Sequence, residues 1–343
     1  MSDIVIRTEG RAGRITLNRP DALNALTEAM GHAMDEGMRD WAGDPAVALV
    51  VIDAAGLRAF CAGGDIARLY AAGRAGDHDH GRRFWRFEYR MNARIAAYPK
   101  PVVTLMQGFT MGGGVGVGCH ASHRVVGDTS QIAMPECGIG LVPDAGGSAL
   151  LARVPGRLGA YLGTTGTRMG PGDAILAGFA DWYLPEDRWP DLTARLAATG
   201  DAGLVAAAAL APPQAALAPL LPEIDALFAP PSMAEIASRL AHADTPFAAR
   251  TRTALARVSP LSAACAVEML QRLGNCPALR TALEQEYRFT HRAQGMGDFL
   301  EGIRAAVIDK DRAPRWRPPP TRAQVEAMLA PLGPDTLTFE DSA

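Results

Sequence analysis

Apolar residues along this chain fall into runs of two kinds. Up to about residue 184, short β-branched runs alternate with stretches of helical period, and beyond it the pattern is almost wholly helical. Ile4-Val5-Ile6 and Arg14-Ile15-Thr16-Leu17 predict a hairpin turning through Gly10 to Gly13. Thr27 and Glu28 start an amphipathic helix that continues to about Trp41 and is stopped by Gly43-Asp44-Pro45. Residues 47–53 form a near-continuous apolar run bounded by turn signals, the pattern of a strand buried on both faces. That run leads into a glycine turn, Phe60-Cys61-Ala62-Gly63-Gly64-Asp65, and a helix from about Ile66, whose first turn is electrostatically suited to Asp65. A polar loop is expected over 73–81, with His78 and His80 in it, then a helix over 82–97 and a second buried strand over 101–106. Helices over 147–154, 158–163 and 170–177 and a last strand over 179–184 complete this part.

From residue 185 the composition shifts. Residues 190–260 are dominated by Ala, Leu and Pro, with helical segments divided by Pro212-Pro213, Pro230-Pro231 and Pro246. Helices over 262–273, 277–292 and 299–307 follow, then a proline-rich tail ending in a short helix over 321–332. The organisation expected is an α/β core over 1–184 and a helical C-terminal region over 185–343, which covers an active site, mediates association, or does both.

The stretch 106–147 carries the candidate chemistry. Six glycines fall between Gly108 and Gly118, directly after a buried strand. Without a Cβ a ligand atom can approach the main chain closely, and a helix starting there presents unpaired N–H groups and its positive dipole end. Such turns also serve purely as packing devices, and the residues alone leave that alternative open. No dinucleotide-binding, phosphate-loop or nucleophile-elbow glycine register fits them. Downstream, Glu136 and Asp144 stand in an otherwise uncharged segment from 130 to 151, either as acid–base groups beside a developing oxyanion or as capping groups around Pro135 and Pro143.

A third carboxylate attracts attention through its spacing. Glu88 lies four residues after Phe84 and three before Met91, on the apolar stripe of its helix. A glutamate facing inward requires a partner or a task. The options are a buried ion pair, with Arg90 or Arg94, and a substrate contact.

Composition narrows the field without choosing within it. The 343 residues are 48% hydrophobic and 21% charged, ordinary for a soluble globular protein, and the net charge of −3 gives no reason to expect nucleic acid or an acidic membrane as partner. No targeting leader or spanning run is visible, so the cytoplasm is the default expectation. Five cysteines without a C-x-x-C pair read as reduced core thiols. His120 and His123 are three apart but lack a third ligand at metal spacing, so no metal is expected.

The paired glycine turns, Cys61-Ala62-Gly63-Gly64-Asp65-Ile66 and Met111-Gly112-Gly113-Gly114-Val115, resemble the crotonase (enoyl-CoA hydratase/isomerase) superfamily. The longer strings Ala133-Met134-Pro135-Glu136 and Gly138-Ile139-Gly140-Leu141-Val142-Pro143-Asp144-Ala145-Gly146-Gly147 resemble its 3-hydroxyisobutyryl-CoA hydrolase branch, as do Phe87-Glu88-Tyr89, Gln285-Glu286-Tyr287-Arg288 and Ile308-Asp309-Lys310-Asp311-Arg312. The resemblance covers nearly the whole chain. It implies an α/β fold, a crotonase-like spiral of ββα units with a helical C-terminal region.

It also implies roles. The oxyanion hole would be one backbone N–H from each turn, at Gly64 and Gly113. Hydratases resembling this chain use two glutamates, one three residues after the oxyanion glycine, and that position is Gly116 here. The second, Glu136, remains, and the branch adds Asp144 and Glu88. Thioester hydrolysis is therefore the expected reaction, with Glu136 as base on a water or as nucleophile, and Asp144 and Glu88 holding a 3-hydroxyl or orienting water. Ala62, Asp65 and Ile66 would line the coenzyme A pantetheine channel. No cofactor is expected, coenzyme A being part of the substrate. The alternatives are a hydratase/isomerase-type lyase and a non-catalytic assembly or RNA-binding relative. A homo-oligomeric state is left open.

Overall fold

The computed structural model describes residues 2–339. In chain order the strands are β1 (Ile4–Glu9), β2 (Ala12–Leu17), β3 (Leu49–Ala54), β4 (Ala59–Cys61), β5 (Val102–Met106), β6 (Phe109–Met111), β7 (His123–Val126), β8 (Gln131–Ala133) and β9 (Trp182–Tyr183). They form a six-stranded sheet ordered β1-β2-β3-β5-β7-β9 and a three-stranded sheet ordered β4-β6-β8. The β1/β2 hairpin is antiparallel and the other pairings are parallel. The mixed α/β architecture with two parallel-rich sheets is the crotonase-like fold expected from the resemblance.

The chain divides into two compact units. One comprises Met1–Gly64, Arg90–Ala133 and Arg168–Ala218 and holds both sheets; the other comprises Asp65–Tyr89, Met134–Thr167 and Pro219–Ala343, and its regular elements among the described residues are helices joined by loops.

In the sheet unit, β3 is buried at Leu49, Val50, Val51 and Ile52 in succession, as its unbroken apolar run requires. Leu49 and Val51 join a core with Val103, Leu105 and Val125, sealed by Trp189, Leu192 and Leu196 of the Trp189–Thr199 helix. The Glu28–Ala42 helix begins as its sequence predicts: the Thr27 side chain accepts the Met30 N–H at 3.2 Å, and Met30, Met34, Met38 and Trp41 form the buried stripe. A cap of this kind typically contributes about 1 kcal/mol.

Several local expectations are corrected. The hairpin strands continue to Glu9 and Ala12, so the turn shrinks to Gly10 and Arg11. His78 and His80 belong to the His78–Ala96 helix, not to a loop, because the Asp77 carboxylate accepts the His80 N–H at 3.1 Å and starts the helix early. The expected final strand shrinks to Trp182–Tyr183. All five cysteines are free, but Cys276 is exposed and only the other four are buried. The stretch after Met106 also contains two short strands, β6 and β8, which its glycine content conceals.

Candidate active site

In the three-stranded sheet β4 and β6 run parallel, with Ala59 opposite Phe109 and Cys61 opposite Thr110. Their C-terminal ends therefore release the two glycine turns side by side. Gly63 takes φ +107°, and a Cβ there would stand 3.4 Å from the Met111 carbonyl oxygen and 3.9 Å from the Gly113 nitrogen. Gly112 takes φ +52° with ψ −122°, and the Gly113–Gly118 helix starts immediately after it. At Gly114 a Cβ would lie 2.2 Å from the Cys61 carbonyl oxygen, so only glycine lets this helix approach β4.

The consequence is a pair of available donors. Gly113 is the first residue of its helix, where the N–H has no intrahelical acceptor. Gly64 bridges to Leu26 through its neighbours: the Leu26 N–H donates to Gly63, at 2.8 Å. Neither the Gly64 nor the Gly113 N–H donates to an acceptor among the described residues.

Gly116, one turn into the same helix, faces the fully buried Asn92. A Cβ at 116 would lie 2.6 Å from Asn92 Nδ2 and 2.9 Å from its Oδ1 and Cγ. The carboxamide occupies the space through which a longer side chain would leave the backbone.

The carboxylates gather in the helical unit. Glu136 opens a short 3-10 turn, Glu136–Ile139, after Pro135. That turn is fixed from several sides: the Ser259 N–H donates to the Cys137 carbonyl at 2.8 Å, and the Cys137 thiol faces the Gly163 carbonyl at 3.3 Å. Gly140 closes it at φ +74°, pressed against the Asp298 backbone where a Cβ would come within 2.5 Å. Glu136 is buried, and its Oε2 has no hydrogen-bond partner. A carboxylate oxygen held dry and unsatisfied costs stability, and such groups concentrate at functional sites.

Asp144 is buried as well, and its Oδ2 accepts the Tyr89 hydroxyl at 2.7 Å. Glu88, one residue before Tyr89, is buried with the Asp144 and Glu286 carboxylates as its charged influences and no cation among them. Of its two candidate ion-pair partners, Arg94 donates instead to Asp35 at 2.6 Å in the sheet unit.

Glu286, fully buried, lies in a tract that the sequence reading named but to which it gave no role. Its Oε2 accepts the Gly146 N–H at 2.8 Å, and its Oε1 accepts the Ser148 N–H at 3.0 Å and the Ser148 hydroxyl.

Four carboxyl groups in one dry region disfavour simultaneous ionisation. Burial, then the Asp144 charge, pushes Glu136 well above the usual carboxylate range, against the opposing pull of its own amide. Burial, then Asp144 and Glu286, does the same to Glu88. Asp144 rises to about 7 through burial, opposed by the Tyr89 hydroxyl and its own amide. Glu286 rises to about 8 through burial and the Asp144 charge, opposed by the Ser148 hydroxyl and the Gly146 and Ser148 amides. The Tyr89 phenol is raised well above its usual range, first by burial and then by Asp144 and Glu286.

Of the other anticipated residues, Ala62 is half-buried in the sheet unit with its N–H bonded to Leu23, at 3.0 Å. Asp65 and Ile66, both half-buried, sit at the N-cap and first position of the Ile66–Arg74 helix. A cavity of about 280 Å³ in the helical unit is lined by Tyr70, Arg74, Gln294, Arg304, Arg315 and Arg317 among others. None of the four buried carboxylates lines it. Among the described residues no helix is long and apolar enough to cross a membrane.

Residues 12–331 match the family model described as enoyl-CoA hydratase/isomerase. The chain belongs to the enoyl-CoA hydratase/isomerase family. Among relatives, the mitochondrial 3-hydroxyisobutyryl-CoA hydrolase of Gallus gallus is 36% identical over 92% of this chain and 85% of its own length. The Homo sapiens protein of the same name is 34% identical over 92% and 84%. Two solved structures are closely similar. One, described as an enoyl-CoA hydratase from Rhodobacter sphaeroides 2.4.1, is 62% identical with a TM-score of 0.95, over 98% of this chain and all of that one. The other, described as a carnitinyl-CoA dehydratase from Mycobacterium thermoresistibile, is 41% identical with a TM-score of 0.94 over the full length of both chains.

For an enoyl-CoA hydratase/isomerase family member, the two sets of groups have complementary chemistry. Paired free amides stabilise an oxygen that gains negative charge. Among the buried carboxyls, Asp144 and Glu286, raised to about 7 and about 8, can exchange protons near neutral pH. The names borne by the relatives and the solved structures diverge between hydrolysis and hydration.

Proposed function

We propose that this chain hydrolyses the thioester of a short 3-hydroxyacyl-CoA, 3-hydroxyisobutyryl-CoA foremost, to the free acid and coenzyme A. The observation that carries this reading is the packing of Gly116 against Asn92. Addition of water across a double bond uses a second glutamate at that position in resembling hydratases, and here the position is glycine with the Asn92 carboxamide lying where its Cβ would point. The hydrolase names of the relatives from Gallus gallus and Homo sapiens support the same reading.

In the proposed reaction the acyl oxygen accepts hydrogen bonds from the Gly64 and Gly113 amides. These strengthen as the carbonyl becomes tetrahedral, and removing one donor from such a pair typically costs about 2.7–4 kcal/mol of transition-state stabilisation. Glu136, with one oxygen unsatisfied, either takes a proton from the attacking water or attacks the carbonyl carbon itself. In the first route the C–O bond to water forms, the C–S bond breaks, and Glu136 returns the proton to the departing sulfur. In the second, the thiolate leaves as a mixed anhydride forms on Glu136, and water then opens it. Asp144 and Glu88 bind the 3-hydroxyl or orient water. A site built to hydrogen-bond a hydroxyl discriminates against acyl groups that lack it, since its buried polar groups would be left unpaired. Ala62, Asp65 and Ile66 line the path of the pantetheine arm, and coenzyme A enters as part of the substrate rather than as a cofactor.

The second reading is a lyase, favoured by the descriptions of the two solved structures cited above. Separate incubations with 3-hydroxyisobutyryl-CoA and crotonyl-CoA discriminate the two. Free thiol from the first, with crotonyl-CoA left unhydrated, is expected; water addition to crotonyl-CoA without thiol release from the first would replace hydrolysis by hydration.

A further inference from the structure

Asp144 stands on a turn of uncommon backbone conformation. Ala145 takes φ +53° and Gly146 φ +82°, two successive left-handed residues, the first bearing a Cβ and fully buried. Left-handed backbone at a non-glycine residue persists when its surroundings enforce it. The Asp144 carbonyl accepts the Gly147 N–H at 2.8 Å, and the Gly147–Arg153 helix then begins.

Three hydrogen bonds that help to fix it come from Glu286, on the Leu279–Met296 helix. Glu286 clamps both sides of Gly147, through the Gly146 N–H at 2.8 Å and the Ser148 N–H at 3.0 Å, and adds the Ser148 hydroxyl. Thr290, one turn further along, has its hydroxyl 3.5 Å from the Tyr89 hydroxyl oxygen, whose single proton goes to Asp144 at 2.7 Å. Tyr287 between them packs edge-on against Tyr89, centroids 6.3 Å apart. Backbone and side chain of the Asp144 turn are thus both referred to this one helix.

We propose that Glu286 is a positioning residue of the active site: its carboxylate clamps the Gly146 and Ser148 amides and thereby sets the place from which Asp144 acts. The proposal rests on the hydrolase reading for its activity assay, but not for its contacts. Two features argue against a merely structural cap. A fully buried carboxylate is a costly way to satisfy two amides that water or a hydroxyl could serve. Glu286 also stands close enough to Glu88, Tyr89 and Glu136 for its ionised form to raise their proton affinity, beyond the two amides it clamps.

The test uses the full chain and two independent readouts. In Glu286→Gln one acceptor oxygen becomes a donor, so the Gly146 and Ser148 amides cannot both remain satisfied. Backbone amide exchange over 144–148 is expected to accelerate at least ten-fold. The kcat for thiol release from 3-hydroxyisobutyryl-CoA is expected to fall by about 100-fold, the scale of a displaced catalytic group, with KM nearly unchanged. Glu286→Gln added to Asp144→Asn should lower kcat little beyond Asp144→Asn alone, because residues acting as a unit are non-additive. Faster exchange with wild-type kcat and pH profile, or losses that multiply in the double variant, would overturn the positioning role. If Glu286→Gln does not fold, Ser148→Ala removes one of the three bonds, and a kcat and pH profile identical to wild type would overturn it equally. A wild-type chain that releases no thiol from any short acyl-CoA refutes the hydrolase reading instead; unaltered exchange at 144–148 in Glu286→Gln would then refute the clamp separately.

Discussion

The Tyr89 hydroxyl donates to Oδ2 of Asp144 across 2.7 Å, and both groups are buried. The bond favours the ionised form of Asp144 and opposes the burial that lifts its carboxyl to about 7. Tyr89→Phe removes the donor and leaves the ring. The Asp144 carboxyl is then expected to rise further, moving the acid limb of kcat/KM to higher pH, with kcat lowered by about ten-fold, since a hydrogen bond to a charged group is worth roughly 1.5–3 kcal/mol. A pH–rate profile checks this, and the shift should vanish when Asp144→Asn is already present.

Glu136→Gln preserves volume and removes the base or nucleophile. Thiol release is expected to fall by at least about 10²–10⁴-fold, the range for losing a positioned acid–base group. Coenzyme A affinity, measured by calorimetry, should change little. Retained turnover would show that another group delivers the attack.

Restoring a carboxylate at the hydratase position is not expected to restore hydration. Gly116→Glu drives its Cβ into Asn92, and overpacking of a full core typically costs about 1–3 kcal/mol. The melting temperature should therefore fall. Gly116→Glu with Asn92→Ala relieves the contact and recovers part of the loss. Only that double variant is a fair test for water addition to crotonyl-CoA.

Stability should also respond to pH in an inverted sense. Glu88, Glu136, Asp144 and Glu286 all bind protons more tightly folded than unfolded. Between the ordinary carboxylate range and their raised values the folded state holds more protons, so these groups stabilise most at low pH and progressively less as pH rises. Thermal melts from about pH 5.5 to 8.5 are expected to show a falling midpoint, and Glu88→Gln should flatten the slope. A midpoint rising over that window would mean that the cluster is ionised in the folded state.

Much of this was legible in the sequence because its signals are local. The unbroken run in β3 announced a doubly covered strand, Thr27 announced a helix start, and the apolar spacing around Glu88 announced an inward carboxylate. The His78–Ala96 helix begins earlier than its apolar pattern because the signal for its start is the Asp77 side chain, ahead of a polar first turn. The three-residue strands β6 and β8 are set by pairing with each other and with β4, and pairing leaves no trace in propensity. Glu286 was given no role because its acceptors' partners lie 138 and 140 residues upstream. The test that singled out Glu88 would have found it: Ala282, Leu283, Phe289, Thr290 and Ala293 place Glu286 on a buried stripe. Asn92 against Gly116 had no counterpart in sequence, since a glycine does not declare what fills the space beside it.

The parallel pairing of β4 with β6 has a bearing on how such a scaffold changes its chemistry. Adjacent strands are spaced at about 4.8 Å by their backbone hydrogen bonds, so the gap between the two glycine turns is gauged by main chain. No side-chain substitution retunes that gauge without breaking the ladder. Variation is left to the groups around it, and a glycine or glutamate at one helical position, or an aspartate on one turn, becomes the means by which the same pair of amides serves different reactions.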